Sequence, residues 1–102
     1  MSPNELTPAT PAEKLIYVVE DDLAVARLIS GVLAEYQFRH ESFRTGQAFL
    51  QRLRQQTPDL CIVDLGLPDM DGMALLRQIR ERHRCGVIIL TGRGHVGDRV
   101  MG

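Results

Sequence analysis

No apolar run in this chain approaches the roughly 18 residues needed for a membrane span, and the N-terminus carries no signal-type apolar segment. An excess of positive charge is missing too. Twelve Lys and Arg stand against thirteen Asp and Glu, for a formal net charge of -1. This segment therefore has no basic footprint for nucleic acid, and any DNA binding falls to a region not present here. A cytoplasmic protein with no membrane association is the expectation. Cysteine is scarce: Cys61 lies inside one apolar run and Cys85 just before another. Their spacing is not that of metal ligands, and they suit buried or incidental thiols of a reducing compartment. Lysine is confined to Lys14. At 102 residues the chain is one small domain at most, large enough for a core with little to spare.

The chain is organised around Thr57 to Gly72, TPDLCIVDLGLPDMDG. Leu60-Cys61-Ile62-Val63 is apolar without alternation, as in a strand buried on both faces of a parallel sheet. It ends on Asp64, the carboxyl end of a strand, where α/β sheets keep their ligands and chemistry. Upstream, residues 1–13 hold Pro3, Pro8 and Pro11 among small polar residues and are expected to be a flexible tail, leaving 14–102 as the domain. Leu15 to Val19 is a second apolar run, closed by Glu20-Asp21-Asp22. One of three consecutive acids can cap the helix that follows, and Asp22 is best placed to do so. Capping requires only one carboxylate, which leaves Glu20 and Asp21 as candidates for a site.

From Leu23 the period turns helical, with Ala26, Ile29, Leu33 and Tyr36 on one stripe for about 13 to 14 residues. Phe38 to Phe43 reads as a short polar strand suited to a sheet edge. Gly46 to Gln55 forms a second helix with Phe49, Leu50 and Leu53 inward, stopped by Thr57-Pro58. Asp71 caps a third helix, Gly72 to about His83, with Met73, Leu76 and Ile79 expected inside and Arg77, Arg80, Arg82 and Arg84 in solvent. Val87 to Leu90 is a fourth strand, followed by Thr91, a glycine-rich stretch, and from Asp98 what reads as the first turn of another helix. This β-α-β-α-β-α-β order predicts an α/β domain built on a parallel sheet with right-handed crossovers.

If the first and third strands are neighbours, about 4.8 Å apart, Glu20, Asp21 and Asp64 crowd together at one edge of the sheet. Like charges so close require a proton or a cation. Oxygen-only ligands with room for water and phosphate favour Mg2+, which would help Asp64 attack a phosphoryl group to give an acyl phosphate. Thr91 is then available to donate its hydroxyl to a phosphoryl oxygen.

VVEDD, PDLCIVDLGLPDMDG and IILTGRG together resemble the receiver domain of two-component response regulators, over roughly Leu15 to Gly102. The resemblance implies a flavodoxin-like, doubly wound parallel sheet of order 2-1-3-4-5. It implies Asp64 as phosphoacceptor fed by a sensor histidine kinase, Mg2+ held by Asp21, Asp64 and the backbone carbonyl of Gly66, and Glu20 assisting through water. Thr91 matches the switch hydroxyl, and Pro68 and Gly72 the loop that shapes the pocket. The residues around Thr91 are similar to receivers attached to DNA-binding transcription factors. The implied role is a phosphoacceptor switch, not an enzyme with its own small-molecule substrate. Two other readings are a small Mg-dependent phosphohydrolase, against which Gly66 stands where a second acid would follow Asp64, and an interaction module that is never phosphorylated.

Receivers continue through a fourth helix, a fifth strand ending in a pocket lysine, a switch aromatic and a fifth helix, none of which is in these 102 residues. Lys14 enters the first strand about 17 Å from the acidic edge and cannot replace that lysine. Without a fifth strand, Val87 to Leu90 is a bare apolar edge, so the expectation is either self-association along it or continuation in a longer protein.

Overall fold

The computed structural model describes residues 10–90. A single 3-10 turn, Pro11–Glu13, leads into β1 (Leu15–Val19). Then follow α1 (Leu23–Glu35), β2 (Arg39–Phe43), α2 (Gly46–Gln55), β3 (Leu60–Asp64), α3 (Gly72–Arg82) and β4 (Gly86–Leu90). The four strands form one parallel sheet in the order β2-β1-β3-β4. The polar strand β2 takes an edge, and β1, all five of whose residues are buried, takes the interior. This is the doubly wound α/β arrangement, in which strand order reverses beside β1.

Side chains alternate across β1 and β3 and divide the core in two. Leu15, Tyr17 and Val19 join Cys61 and Val63 on the face covered by α2 (Phe49, Leu53) and α3 (Leu75, Ile79). Ile16 and Val18 turn the other way, toward Leu33 of α1, with Ile29, Phe38, Leu60 and Ile62 packed around them. Tyr17, Phe43 and Phe49 meet edge-on, with ring centroids 5.2 to 6.1 Å apart, and the Tyr17 hydroxyl donates to the Gln56 carbonyl. A buried phenol thus keeps its hydrogen bond while its ring fills the core.

Helix starts follow local chemistry: Asp22 accepts from the Ala24 and Val25 amides, and Asp71 from that of Met73, both in the expected capping role. Thr45, which the sequence reading passed over, caps α2 through the Ala48 amide. Two inward assignments change. Tyr36 is 65% exposed, because α1 ends at Glu35 and Tyr36 is already its C-cap. The chain then reverses through Gln37, at φ 66°, with Gln37 N–H donating to the Ala34 carbonyl and Phe38 N–H to that of Leu33. That is a Schellman closure with glutamine where glycine is usual. Met73 also lies outward, at 48% exposure, and Leu75 is buried in its place. With Gly72 pressed on the backbone of Leu65, α3 is rotated so that Gly72, Leu75 and Ile79 face the sheet.

Candidate functional site

β1 and β3 run side by side with Val19 opposite Val63. The next residue of each strand is a carboxylate, Glu20 and Asp64, and both are only 3% exposed. Glu20 N–H donates to the Phe43 carbonyl, which continues the pairing of β1 with β2 past its last strand residue. One Glu20 oxygen accepts from the Asp22 amide at 2.9 Å, so Glu20 and Asp22 together fix the turn between β1 and α1. Asp21, between them, is half-buried. One carboxylate oxygen from each of Glu20, Asp21 and Asp64 lies within 4.8 Å of the other two. Three such charges repel one another, and a shared cation would relieve that repulsion. The donors are all hard oxygens and two come from the protein interior, a set that fits Mg2+ better than a soft metal.

The loop after Asp64 is tied down at several points. Asp64 Oδ1 accepts from the Gly66 amide at 3.0 Å, which folds the chain back over the strand end, and Gly66 itself is exposed in that turn. Leu67 tucks into the core cluster, while Pro68 stays in solvent. Asp69 reaches across to the N-terminus of α2 and accepts from the amides of Gly46 and Gln47 at 2.9 and 3.0 Å. The Gly46 bond, assisted by that of Gln47 against partial desolvation, holds the Asp69 carboxyl below the usual carboxylate range. Met70 packs over Gly46, and Gly72 sits against Leu65, where a Cβ would meet the Leu65 Cα at 2.5 Å and its carbonyl oxygen at 2.7 Å. Sequence reasoning missed Asp69, since 23 residues separate it from the helix it caps and no local signal links them.

The other named residue at this edge, Thr91, lies outside the described residues, as do the glycine-rich stretch and the helical turn expected after it. Leu90, just before Thr91 in the chain, pairs in register with Asp64, and its carbonyl accepts from the Leu65 amide at 3.4 Å. The opposite edge of the sheet has different chemistry. There Asp59 accepts from the Leu15 amide, and a cavity of about 160 Å³ between α2 and α3 is lined by Leu50, Leu53, Arg54, Gln78, Arg82 and His83.

A flavodoxin-like sheet with carboxylates converging from the ends of two adjacent strands makes the chain a doubly wound α/β domain with an acidic site at the carboxyl ends of its strands. Within that fold class, the chain belongs to the response regulator receiver domain family, whose model matches residues 16–101. It is therefore the signalling module of two-component response regulators. It is 36% identical over 88 residues to the transcriptional regulatory protein CreB of Escherichia coli K12, covering 85% of this chain and 38% of CreB. It is 37% identical over 87 residues to the DNA-binding transcriptional regulator NtrC of the same organism, covering 84% of this chain and 19% of NtrC. The chain thus spans well under half the length of these relatives. Among solved structures, the response regulator TrrA from Thermotoga maritima, in complex with Mg(2+)-BeF, superposes with a TM-score of 0.74 at 25% identity, over 85% of this chain and 76% of that one. No helix among the described residues is long and apolar enough to cross a membrane.

Proposed function

We propose that Asp64 is the phosphoacceptor of a two-component phosphorelay, and that Glu20, Asp21, Asp64 and the backbone carbonyl of Gly66 hold Mg2+ beside it. The observation that carries this reading is the convergence of the Glu20, Asp21 and Asp64 oxygens within 4.8 Å at the C-terminal ends of β1 and β3. A carboxylate oxygen of Asp64 attacks the phosphorus of a phosphohistidine on a sensor kinase. The O–P bond forms as the N–P bond breaks, and the imidazole nitrogen keeps the electron pair. Bound Mg2+ would neutralise charge on the phosphoryl oxygens during that transfer. Asp64 is held for the attack by the Gly66 amide, and the loop that carries Gly66 is anchored to α2 by Asp69. Thr91 follows Leu90, the register partner of Asp64, and is assigned the switch hydroxyl that donates to the phosphoryl group.

The partners proposed with this role are a sensor histidine kinase as donor, a DNA-binding output domain not present in this chain, and a second copy along β4. CreB and NtrC, named as transcriptional regulators, support an output in transcription and a cytoplasmic location. The exposure of Ile88 and Ile89, at 48% and 39%, supports contacts along β4. The role is that of a switch and not of an enzyme acting on a separate substrate.

Incubation with Mg2+ and a small acyl phosphate tests the reading by intact mass. The expected result is a stoichiometric adduct of one phosphoryl group, labile to hydroxylamine, dependent on the metal and lost in Asp64→Asn. Continuous release of phosphate with no adduct would instead identify a phosphohydrolase. Neither adduct nor turnover would leave an interaction module.

A further inference from the structure

Two thiols unrelated to the acidic site lie next to each other. Cys61 is fully buried in β3 on the face packed against α2 and α3, and Cys85 is half-buried in the connection between α3 and β4. Both are free, with their sulfurs 3.8 Å apart. The register explains the approach: Leu60 pairs with Gly86 and Cys61 with Val87, so Cys85 lies just before the ladder on the same face as Val87 and Cys61. The Gly86 amide donates to the Asp59 carbonyl at 3.0 Å, which pins the backbone immediately after Cys85.

We propose that Cys61 and Cys85 are a redox-closable pair, in which a peroxide oxidises Cys85 and Cys61 then completes a disulfide between β3 and the α3–β4 connection. The half-buried sulfur is the one a small oxidant reaches first. Burial, reinforced by the neighbouring Cys85, pushes the Cys61 thiol well up and leaves it unreactive toward peroxide, and its place in the second step rests on the 3.8 Å approach of its sulfur to that of Cys85. In the first step the Cys85 sulfur attacks a peroxide oxygen. The O–O bond breaks, one water leaves with the thiol proton, and Cys85 becomes a sulfenic acid. In the second, the Cys61 sulfur displaces that hydroxyl: the S–S bond forms, the S–O bond breaks, and the Cys61 proton departs with a second water. Two thiols lose two electrons and one peroxide is reduced to two waters. A dithiol reductant reverses the change.

Closure brings the sulfurs from 3.8 Å to a bond of about 2.05 Å. Cys85 precedes β4, so the connection before the Gly86 hydrogen bond is the part of the backbone left to adjust. The resulting link encloses the whole β3–α3 crossover, including Asp64 and the loop to Gly72. It therefore restrains the unfolded chain across the segment that carries the proposed phosphoacceptor.

The test is to treat the chain with hydrogen peroxide and digest it with trypsin without reduction. The expected product is a disulfide between peptides 55–77 and 85–93, with the intact chain lighter by its two thiol hydrogens. Its thermal midpoint should rise and return with dithiothreitol. Cys61→Ala should stop at a Cys85 sulfenic acid trapped by dimedone. Cys85→Ser, altered at the less buried position and the more certain to fold, should keep Cys61 as an unreacted thiol. Oxidation of Cys85 to sulfinic acid, a Cys85 disulfide between two chains, or no reaction, each with Cys61 still reduced in the native protein, would overturn the proposal.

Discussion

Asp69 belongs by sequence to the loop after β3, yet its carboxylate serves α2, accepting from the Gly46 and Gln47 amides where the partial positive end of the helix favours an anion. The Gly46 bond lowers its pKa first, desolvation opposes, and the Gln47 bond lowers it further. Glu41 is shifted in the same direction, chiefly by its hydrogen bonds from Arg52 at 2.9 and 3.1 Å. A carboxylate whose folded pKa is depressed contributes stability that is complete above its unfolded value of about 4 and is lost as pH falls through the folded value. Asp69→Asn, which removes the charge and keeps the shape, should therefore destabilise the fold at about pH 7, and wild type and variant should converge as pH falls through the lowered folded value. Urea midpoints measured across that range decide it. A wild-type advantage that persisted unchanged into acid would mean that the Asp69 charge contributes nothing to the clamp.

At the scale of elements, what was legible in the sequence was what neighbouring residues determine. α2 falls where expected, Gly46–Gln55, because Thr57-Pro58 stops it and Phe49 and Leu53 set its buried stripe. Asp22 and Asp71 are legible as caps because a cap bonds within three residues. The acidic site was legible for a topological reason: neighbouring parallel strands bring their carboxyl ends together, so a carboxylate after β1 and another at the end of β3 had to meet once β1 and β3 paired. The illegible contacts are those made across the fold. Asp69 on α2 and Asp59 on the Leu15 amide have no local signal. The outward turn of Met73 depends on how Gly72 seats α3 against Leu65, which periodicity alone does not determine. That seating makes a prediction. A Cβ at residue 72 would meet backbone, not a yielding side chain, so Gly72→Ala should cost about 1–3 kcal/mol as overpacking does. Because Leu65 directly follows Asp64, the variant should also slow phosphoryl acceptance from a small donor. A Gly72→Ala chain with an unchanged urea midpoint would show that α3 can shift freely, and the loop geometry described above would lose its support.

Across the whole molecule, the acidic cluster links metal binding to folding. Glu20, Asp21 and Asp64 converge from two strands that meet only in the folded chain, so a cation held by all three binds the native state and not the unfolded one. Stabilisation then grows with the logarithm of free Mg2+, reaching about 2.7 kcal/mol at a hundredfold excess over the dissociation constant. At roughly 4–8 °C per kcal/mol for a domain this small, the shift is easily read by thermal unfolding. The metal-free protein carries the opposite term, since like charges within 4.8 Å repel. Asp21→Asn separates the two, because Asp21 is the least buried of the three and its amide keeps nearly the same volume. In chelator the variant should melt above wild type, its repulsion relieved. As Mg2+ is added wild type should overtake it, and the two melting curves should cross. A variant that melted lower in chelator and responded fully to Mg2+ would show that the three carboxylates share neither a repulsion nor an ion, and the site would have to be sought elsewhere.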